Sequence, residues 1–164
     1  PGPVVIDVPK DVQNWKGSFH GAVRLPLPGY RRRLAKVHAS RLSTAACDDA
    51  FRMLGESSRP LIYAGGGGVN GNAAGALREF AQEFGIPVVT TLMGIGAFDT
   101  TQPLSMRMLG MHGAAFANYA VDDCDLLIAV GARFDDRVAG VPAKFAKGAK
   151  HIIHLDIDAS EINK

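Results

Sequence analysis

The sequence has few cysteines, no long apolar run and no marked excess of one charge, and each shortage excludes a class of protein. Two cysteines among 164 residues exclude a disulfide-built scaffold and a cysteine-rich metal site. No apolar run reaches the ~18 residues of a membrane-spanning helix, and the first residues lack a signal-peptide pattern. A formal net charge of +2 indicates no particular charged partner.

What remains is the composition of an ordinary α/β protein. Apolar residues make up 47% and charged residues 21% of the chain, enough for one well-packed domain and an additional segment. Cys47 and Cys124 lie among apolar positions of predicted elements, so we expect reduced thiols and a cytoplasmic protein. The chain starts at Pro1 without methionine and stops at Lys164 inside a helix-like pattern. We therefore expect a piece of a longer polypeptide.

The organising feature is a glycine turn between a predicted strand and a predicted helix. Residues 61–64 are a short apolar run with β-preferring side chains, closed by Gly65. Apolar residues then recur every three or four positions over residues 73–84, and Gly85 stands where helices commonly end. Such a corner suits a phosphate group, because glycine allows close backbone approach and a helix start offers free N–H groups.

The glycine pattern is a weak signal by itself. Residues 66–71 match G-x-G-x-x-G in form, but four consecutive glycines match many patterns by chance. The dinucleotide fingerprint also needs an acidic residue at the end of the second strand, whereas the predicted strand 88–91 ends in Thr91. Two interpretations stay open at this point: a phosphate-binding corner, and a tight turn without a ligand.

Helices and strands alternate over the rest of the chain. Ser43 is a suitable N-cap for a helix with an apolar stripe, and a short helix is predicted at residues 114–121. Residues 126–130 are predicted to form a buried apolar strand and residues 151–155 another strand. Alternation with short connections implies parallel strands. We predict an α/β fold of three layers, an open Rossmann-like parallel sheet with helices on both faces.

The first forty residues have a different character. Residues 3–8 are predicted to form a strand, and the following thirty residues lack periodicity, which is typical of an extended linker. The linker contains a basic cluster within residues 31–41. Because the cluster has a single aromatic neighbour in a nearly neutral chain, we interpret it as solvated linker rather than as a nucleic-acid surface.

Glycines and charged residues follow the predicted strands, at the end where open α/β sheets bind ligands. Arg133 and Arg137 are suited to clamp a phosphate while Asp135 orients one of them, and we favour this over a surface pairing of the same charges. We expect Asp156 to accept a hydrogen bond from a sugar hydroxyl rather than to form a Mg²⁺ site with Asp158. His112, in a glycine-flanked loop, is interpreted as a residue that bonds backbone rather than as a catalyst.

Several longer segments together resemble one enzyme family. They are GPVVIDVPKDVQ (residues 2–13), TLMGIGAF (91–98), LGMHGAAFANYA (109–120), VGARFDDRVAG (130–140) and HLDIDASEI (154–162). These segments resemble the central region of the acetohydroxyacid synthase (acetolactate synthase) catalytic subunit, a thiamine-diphosphate-dependent enzyme. The likeness runs from end to end of the chain. LGMHG and GARFDDRV are its most specific motifs.

The resemblance implies a domain plan and a flavin site. Residues 1–13 would end the pyrimidine-binding domain, residues 14–42 would be an interdomain linker, and residues 43–164 would be the central domain, which holds FAD. The residues placed at the flavin by motif position are called here the predicted flavin residues. They are Gly65, Gly66, Gly67, Thr91, Leu92, Leu109, Gly110, Met111, His112, Gly131, Ala132, Arg133, Asp135, Arg137, Asp156 and Ile157.

The resemblance also implies what lies outside this chain. The catalytic glutamate would precede Pro1 and the Gly-Asp-Gly motif for Mg²⁺ and thiamine diphosphate would follow Lys164, so no catalytic or metal residue is expected here. The parent would decarboxylate pyruvate and add the two-carbon unit to a second 2-ketoacid, with FAD structural. Expected partners are the other domains, further copies in a homo-oligomer and a regulatory small subunit, but neither nucleic acid nor membrane. Lys10, Asp136 and Arg137 would lie toward the substrate channel and subunit interface.

Three other functions compete with this one. Another thiamine-diphosphate carboligase or decarboxylase would keep the fold and change the substrate or replace FAD by ADP. A free-standing Rossmann-type module would bind NAD at the glycine corner, which Thr91 disfavours. An inert oligomerisation domain would use the glycines only to tighten turns.

Overall fold

The structure, a computed structural model, describes residues 5–8, 10–18, 20–21, 42–158 and 161–162. These belong to two compact units, residues 1–30 and residues 31–164. In the first unit, helix α1 (Lys10–Asn14) is exposed throughout. Residues 5–8 are exposed and irregular, so the strand predicted at residues 3–8 is wrong for them. A strand needs a hydrogen-bonded neighbour, and the described part of this unit contains none. Residues 3 and 4, and the basic cluster, lie outside the described residues.

The second unit alternates helices and strands. In chain order they are α2 (Thr44–Glu56), β1 (Pro60–Ala64), α3 (Gly66–Asn70), α4 (Ala74–Phe84), β2 (Val88–Thr90), β3 (Ser105–Met108), α5 (Ala115–Asp123), β4 (Leu126–Val130), α6 (Asp136–Ala139) and β5 (His151–Leu155). Two 3-10 turns, Leu92–Gly94 and Pro142–Lys144, complete the set among the described residues.

The five strands form one parallel sheet in the order β3-β2-β1-β4-β5. β1 is central: Ile62 pairs with Val88 on one side and with Ile128 on the other. The chain therefore runs outward to one edge, returns across β1 to β4 and continues to the other edge. Because all five strands are parallel, their carboxyl ends lie along the same side of the sheet. This side, which runs across the ends of the strands, is the carboxyl edge.

Each face of the sheet carries its own apolar core, because successive strand side chains point to opposite faces. Leu61 and Tyr63 belong to one core with Ala117 and Val121 of α5. The other core contains Ile62 and Ala64 with Leu77 and Ala81 of α4. Helices thus cover both faces, and the predicted three-layer α/β fold is confirmed.

The helix limits follow local chemistry. The Ser43 side chain accepts a hydrogen bond from the N–H of Ala46 and caps α2, as predicted. Gly85 ends α4 in the left-handed conformation, with φ +65°, also as predicted.

The apolar stripe of α2 is only partly covered: Phe51 is 58% exposed, and a largely apolar groove of about 480 Å³ lies between α2 and α4.

Among the elements that the sequence did not predict are α3 and β3. The glycine turn contains a short helix, α3, before the predicted helix begins at Ala74. β3 was not predicted, since its four residues are at most half-buried and its pairing with β2 is interrupted by a bulge. Arg107 in this bulge has φ +61°. An irregular edge strand lacks the apolar run that marks the inner strands.

Candidate functional site

The predicted flavin residues all follow the carboxyl ends of strands. Gly65–Gly67 follow β1, Thr91 and Leu92 follow β2, residues 109–112 follow β3, residues 131–137 follow β4, and Asp156 and Ile157 follow β5. Backbone hydrogen bonds connect these loops across the sheet edge. The parallel topology therefore brings together segments that are far apart in the sequence, and the candidate site is this edge.

Glycines join the loops after β1 and β4. The N–H of Gly67 donates to the carbonyl oxygen of Gly131 at 2.9 Å, and that of Gly65 donates to Val130 at 2.9 Å. A Cβ on Gly65 would lie 2.2 Å from the Gly131 carbonyl oxygen. The absence of side chains at Gly65, Gly67 and Gly131 is thus explained by packing of one loop on the other. The tight turn that the sequence left open is present, whatever ligand the edge binds.

The loop after β2 carries a cap and two exposed apolar side chains. Thr91 Oγ1 accepts a hydrogen bond from the N–H of Gly94 at 2.9 Å and caps the 3-10 turn. Thr91 therefore has a structural role at a position where the dinucleotide fingerprint has an acid. Leu92 and Met93 are largely exposed, and Met93 lies against Gly66, where a Cβ would approach to 2.9 Å.

The loop after β3 is held by a side chain that the sequence did not single out. Asn118 of α5 accepts from the N–H of Gly110 at 2.8 Å and donates to its carbonyl oxygen at 3.1 Å. Met111 donates its N–H to the carbonyl oxygen of Arg137 at 3.1 Å. Met111 is 70% exposed, whereas Leu109 is 3% exposed and belongs to the core. Leu109 can therefore present only its backbone to a ligand.

The loop after β4 carries the charged residues. Arg133 is exposed, and its guanidinium lies 3.8 Å from a carboxylate oxygen of Asp135. The other carboxylate oxygen of Asp135 accepts from the N–H of Val138 at 3.2 Å and caps α6. Arg137 and Asp136 are exposed in α6. Asp135 thus lies near Arg133 as expected, and it also has a structural task.

The buried Tyr63 and the largely buried His154 hold the backbone of this loop. The hydroxyl of Tyr63 donates to the carbonyl oxygen of Arg133 at 2.7 Å. Nε2 of His154 lies 2.9 Å from the carbonyl oxygen of Ala132, a geometry in which Nε2 carries the hydrogen and donates. Burial raises the pKa of the Tyr63 phenol, the Asp135 charge adds to this and the Arg133 charge opposes it. Tyr63 therefore remains a donor.

The loop after β5 presents one polar and one apolar residue. Asp156 is 10% exposed, and one of its oxygens accepts from the N–H of Asp158 at 2.8 Å. Its other oxygen lies 3.8 Å from Nε2 of His154, beyond hydrogen-bond distance. Ile157 is largely exposed. The carboxylate of Asp156 thus stabilises the turn formed by residues 156–158.

Part of the edge is concave. A cleft of about 320 Å³ between α5 and α6 is lined by Gly110, Met111 and Arg137 among the predicted flavin residues, together with Asn118 and Lys144.

Within the part of the chain that the structure describes, no group of three or more His, Cys, Asp or Glu side chains is arranged to hold a metal ion. None of the described helices has both the length and the apolar character that a membrane crossing needs.

Comparison with known proteins identifies the family to which this chain belongs. Residues 47–164 match the family model described as thiamine pyrophosphate enzyme, central domain. The chain belongs to this family. The predicted membership in the thiamine-diphosphate enzymes is therefore confirmed, and the matching family is one of central domains.

Acetolactate synthases are similar over the whole chain. The chain is 51% identical over 165 residues to the probable acetolactate synthase 2, chloroplastic, of Oryza sativa subsp. japonica, covering 100% of this chain and 24% of the relative. It is 51% identical over 165 residues to acetolactate synthase 1, chloroplastic, of Zea mays, covering 100% and 25%. The acetolactate synthase large subunit of Corynebacterium glutamicum is 48% identical over 164 residues, covering 100% and 25%.

These relatives confirm the resemblance that the sequence motifs indicated, and they favour it over the other thiamine-diphosphate enzymes. The chain spans about a quarter of the length of the curated relatives it matches.

The sequence analysis did not identify three side chains that hold the loops of the carboxyl edge by hydrogen bonds: Tyr63, His154 and Asn118. A tyrosine inside a buried strand was the one available signal, because a buried hydroxyl needs a hydrogen-bond partner.

Proposed function

We propose that this chain is the central domain of an acetolactate synthase catalytic subunit and that it binds FAD at the carboxyl edge of its sheet. The carrying observation is that one parallel sheet gathers the predicted flavin residues at a single edge. In open α/β sheets, ligands bind at that edge. Membership in the central-domain family and the similarity to acetolactate synthases support the same proposal.

The chemistry of the edge fits a flavin nucleotide. Arg133 and Arg137 are exposed cations on neighbouring turns, suited to the two phosphates. Exposed Met93, Met111 and Ile157 offer apolar surface to flat rings. In this proposal the remaining predicted flavin residues contribute backbone groups and the Asp156 carboxylate. FAD is structural here and supplies no net redox chemistry.

The parent enzyme's activity is part of the proposal. The parent enzyme decarboxylates pyruvate and adds the remaining two-carbon unit to a second 2-ketoacid, a step of branched-chain amino-acid biosynthesis. Thiamine diphosphate and Mg²⁺, bound outside this chain, supply that chemistry, and this chain contributes no catalytic residue. We further propose homo-oligomers, contact with the other domains, a regulatory small subunit and, for a bacterial parent, a cytoplasmic location. The free thiols of Cys47 and Cys124 fit a reducing compartment.

Removal of one arginine from the full-length subunit tests the flavin site. Arg133→Ala is expected to weaken FAD binding by about 10- to 100-fold, the value of a charge-assisted contact, with little change in thermal midpoint. FAD retained after gel filtration and a fluorescence titration measure the loss. Titration with NAD and ADP in parallel distinguishes a nucleotide module of another kind.

Arg52→Ala is the matched control. Arg52 is 53% exposed and Arg133 is 68% exposed, and both pair with nearby carboxylates, but Arg52 lies in α2 away from the edge. The control should retain FAD like the wild type. Equal FAD loss in the two variants, or a loss of stability in Arg133→Ala that matches its loss of FAD, contradicts the site.

A further inference from the structure

The loop that carries Arg133 is fixed by side chains of the two strands that flank β4. Tyr63 of β1 donates to the carbonyl oxygen of Arg133 at 2.7 Å. His154 of β5 has Nε2 2.9 Å from the carbonyl oxygen of Ala132. Consecutive carbonyl groups of one loop are thus held from both sides. This fixes the backbone from which the Arg133 side chain projects.

An aromatic cluster fixes the same loop through its next residue. The ring of Phe134 packs edge to face on Tyr63, with centroids 5.5 Å apart, and on His154, with centroids 5.1 Å apart. Phe145 packs on Phe134 at 5.8 Å. Phe134 is therefore turned toward the core while the adjacent Arg133 remains exposed. Each of the two hydrogen-bonding side chains also supplies one wall of the Phe134 site.

We propose that Tyr63 and His154 are positioning residues of the flavin-binding edge. Tyr63 is fully buried and acts through the backbone of Arg133 rather than through contact with a ligand. A loop that is already ordered pays less conformational entropy when it binds, so its affinity is higher. The inference rests on the proposed function for the identity of the ligand, FAD. The fixation of residues 132–135 is a property of the chain alone.

The test uses three variants of the full-length subunit. Tyr63→Phe removes one hydroxyl, and His154→Leu removes the imidazole ring together with its Nε2 donor. Each is expected to raise the Kd for FAD about three- to tenfold and to speed hydrogen exchange of the amides in residues 132–135 in the FAD-free protein. His154→Gln places an amide donor near the position of Nε2 and should recover most of both losses.

Two variants with the same chemical changes serve as controls. Tyr119→Phe removes a hydroxyl that is exposed on α5, and His151→Leu changes a histidine at the opposite end of β5. Neither should change the Kd or the exchange of residues 132–135. If Tyr63→Phe and His154→Leu keep wild-type Kd and exchange, the positioning role is overturned.

The remaining outcomes separate this inference from the proposed function. A wild-type subunit that does not bind FAD overturns the proposed function and the flavin part of this inference, and hydrogen exchange still decides whether the two side chains fix the loop. A variant that lowers the thermal midpoint but changes neither exchange in residues 132–135 nor Kd shows a purely structural role and overturns the inference. Failure of His154→Gln to recover either quantity contradicts the hydrogen bond as the cause.

Discussion

Gly67 and Gly131 pack backbone against backbone, with a hydrogen bond of 2.9 Å from the N–H of Gly67 to the carbonyl oxygen of Gly131. A Cβ on Gly131 would lie 2.3 Å from the nitrogen of Gly68, and Gly131 has φ +55°. The glycine run after β1 and the single glycine after β4 are therefore one structural unit. Their first task is to let the two loops touch, and any ligand binds to the surface that this contact creates.

We predict that Gly131→Ala strongly destabilises this unit. The new methyl group meets backbone atoms, which cannot rotate away, and alanine is disfavoured at positive φ. Together these effects should cost about 2–4 kcal/mol of the free energy of unfolding. Equilibrium unfolding in urea, followed by circular dichroism, measures the change.

Gly75→Ala is the control for that substitution. Gly75 lies in α4, and nothing within 4 Å would meet a Cβ there. Because alanine is the better helix former, this variant should be unchanged or stabilised by up to about 1 kcal/mol. If Gly131→Ala behaves like Gly75→Ala, the contact between the loops after β1 and β4 is not as close as described.

The amide of Asn118 should be essential to the loop after β3. Asn118→Ala removes both hydrogen bonds to Gly110 and should cost about 1–3 kcal/mol, with faster hydrogen exchange at residues 110–112. Asn118→Asp keeps the acceptor for the Gly110 N–H but sets a carboxylate oxygen against the Gly110 carbonyl. It should therefore be no better than alanine, and an aspartate variant as stable as the wild type would contradict the bidentate contact.

Asp125 is expected to make the start of the sheet sensitive to acid. It accepts hydrogen bonds from the hydroxyl of Ser57 and from the N–H groups of Ser58 and Arg59, the last two at 2.9 Å. The Ser57 hydroxyl, followed by these N–H groups, lowers the pKa of Asp125 to about 2. A carboxylate with a lowered pKa stabilises the fold above its unfolded-state pKa of about 3.9, and this contribution is lost as pH falls toward the folded value.

The measurement compares wild type with Asp125→Asn between pH 7 and pH 2. The difference in unfolding midpoint should be constant from pH 7 to about pH 5 and should shrink below about pH 4. Asp123→Asn, a neighbouring substitution of an exposed aspartate at the end of α5, provides the baseline. A difference that does not depend on pH would show that the charge of Asp125 is not what matters.

The sequence predicted the inner part of the fold because burial leaves a strong local pattern. β1, β2 and β4 are short, largely apolar runs that lie buried, and α4 has a helical apolar stripe ended by Gly85. β3 left no such pattern, since an edge strand with a bulge at Arg107 needs no apolar face. Glycines also give no local signal for a helix, so α3 was not foreseen.

The location of the candidate site was predictable, but its internal contacts were not. Parallel strands send their carboxyl ends to one edge, so the loops after them meet wherever the strand order allows. The contacts that hold those loops come from residues distant in sequence, such as Tyr63 under Arg133, 70 positions apart. Local patterns carry no information on such pairs. For the same reason the burial of Leu109 could not be inferred from its glycine-rich surroundings.

Cys124 should be chemically inert in the folded protein. It is 2% exposed, it belongs to the core under α5, and its thiol donates to the carbonyl oxygen of Val121. Burial, aided by the charge of Asp125, raises the pKa of the Cys124 thiol to about 11. A free thiol has a pKa of about 8.5, so the thiolate fraction of Cys124 at neutral pH falls on the order of a hundredfold on folding, in addition to the loss of access.

Alkylation with iodoacetamide, quantified at each cysteine by mass spectrometry in native buffer and in urea, should therefore show Cys124 modified only in urea. Cys47, which lies half-buried in the groove beside α2, is the internal comparison and should be modified in both conditions. Rapid modification of Cys124 in native buffer would mean that α5 detaches from the sheet on the time scale of the reaction, which is incompatible with its place in the core.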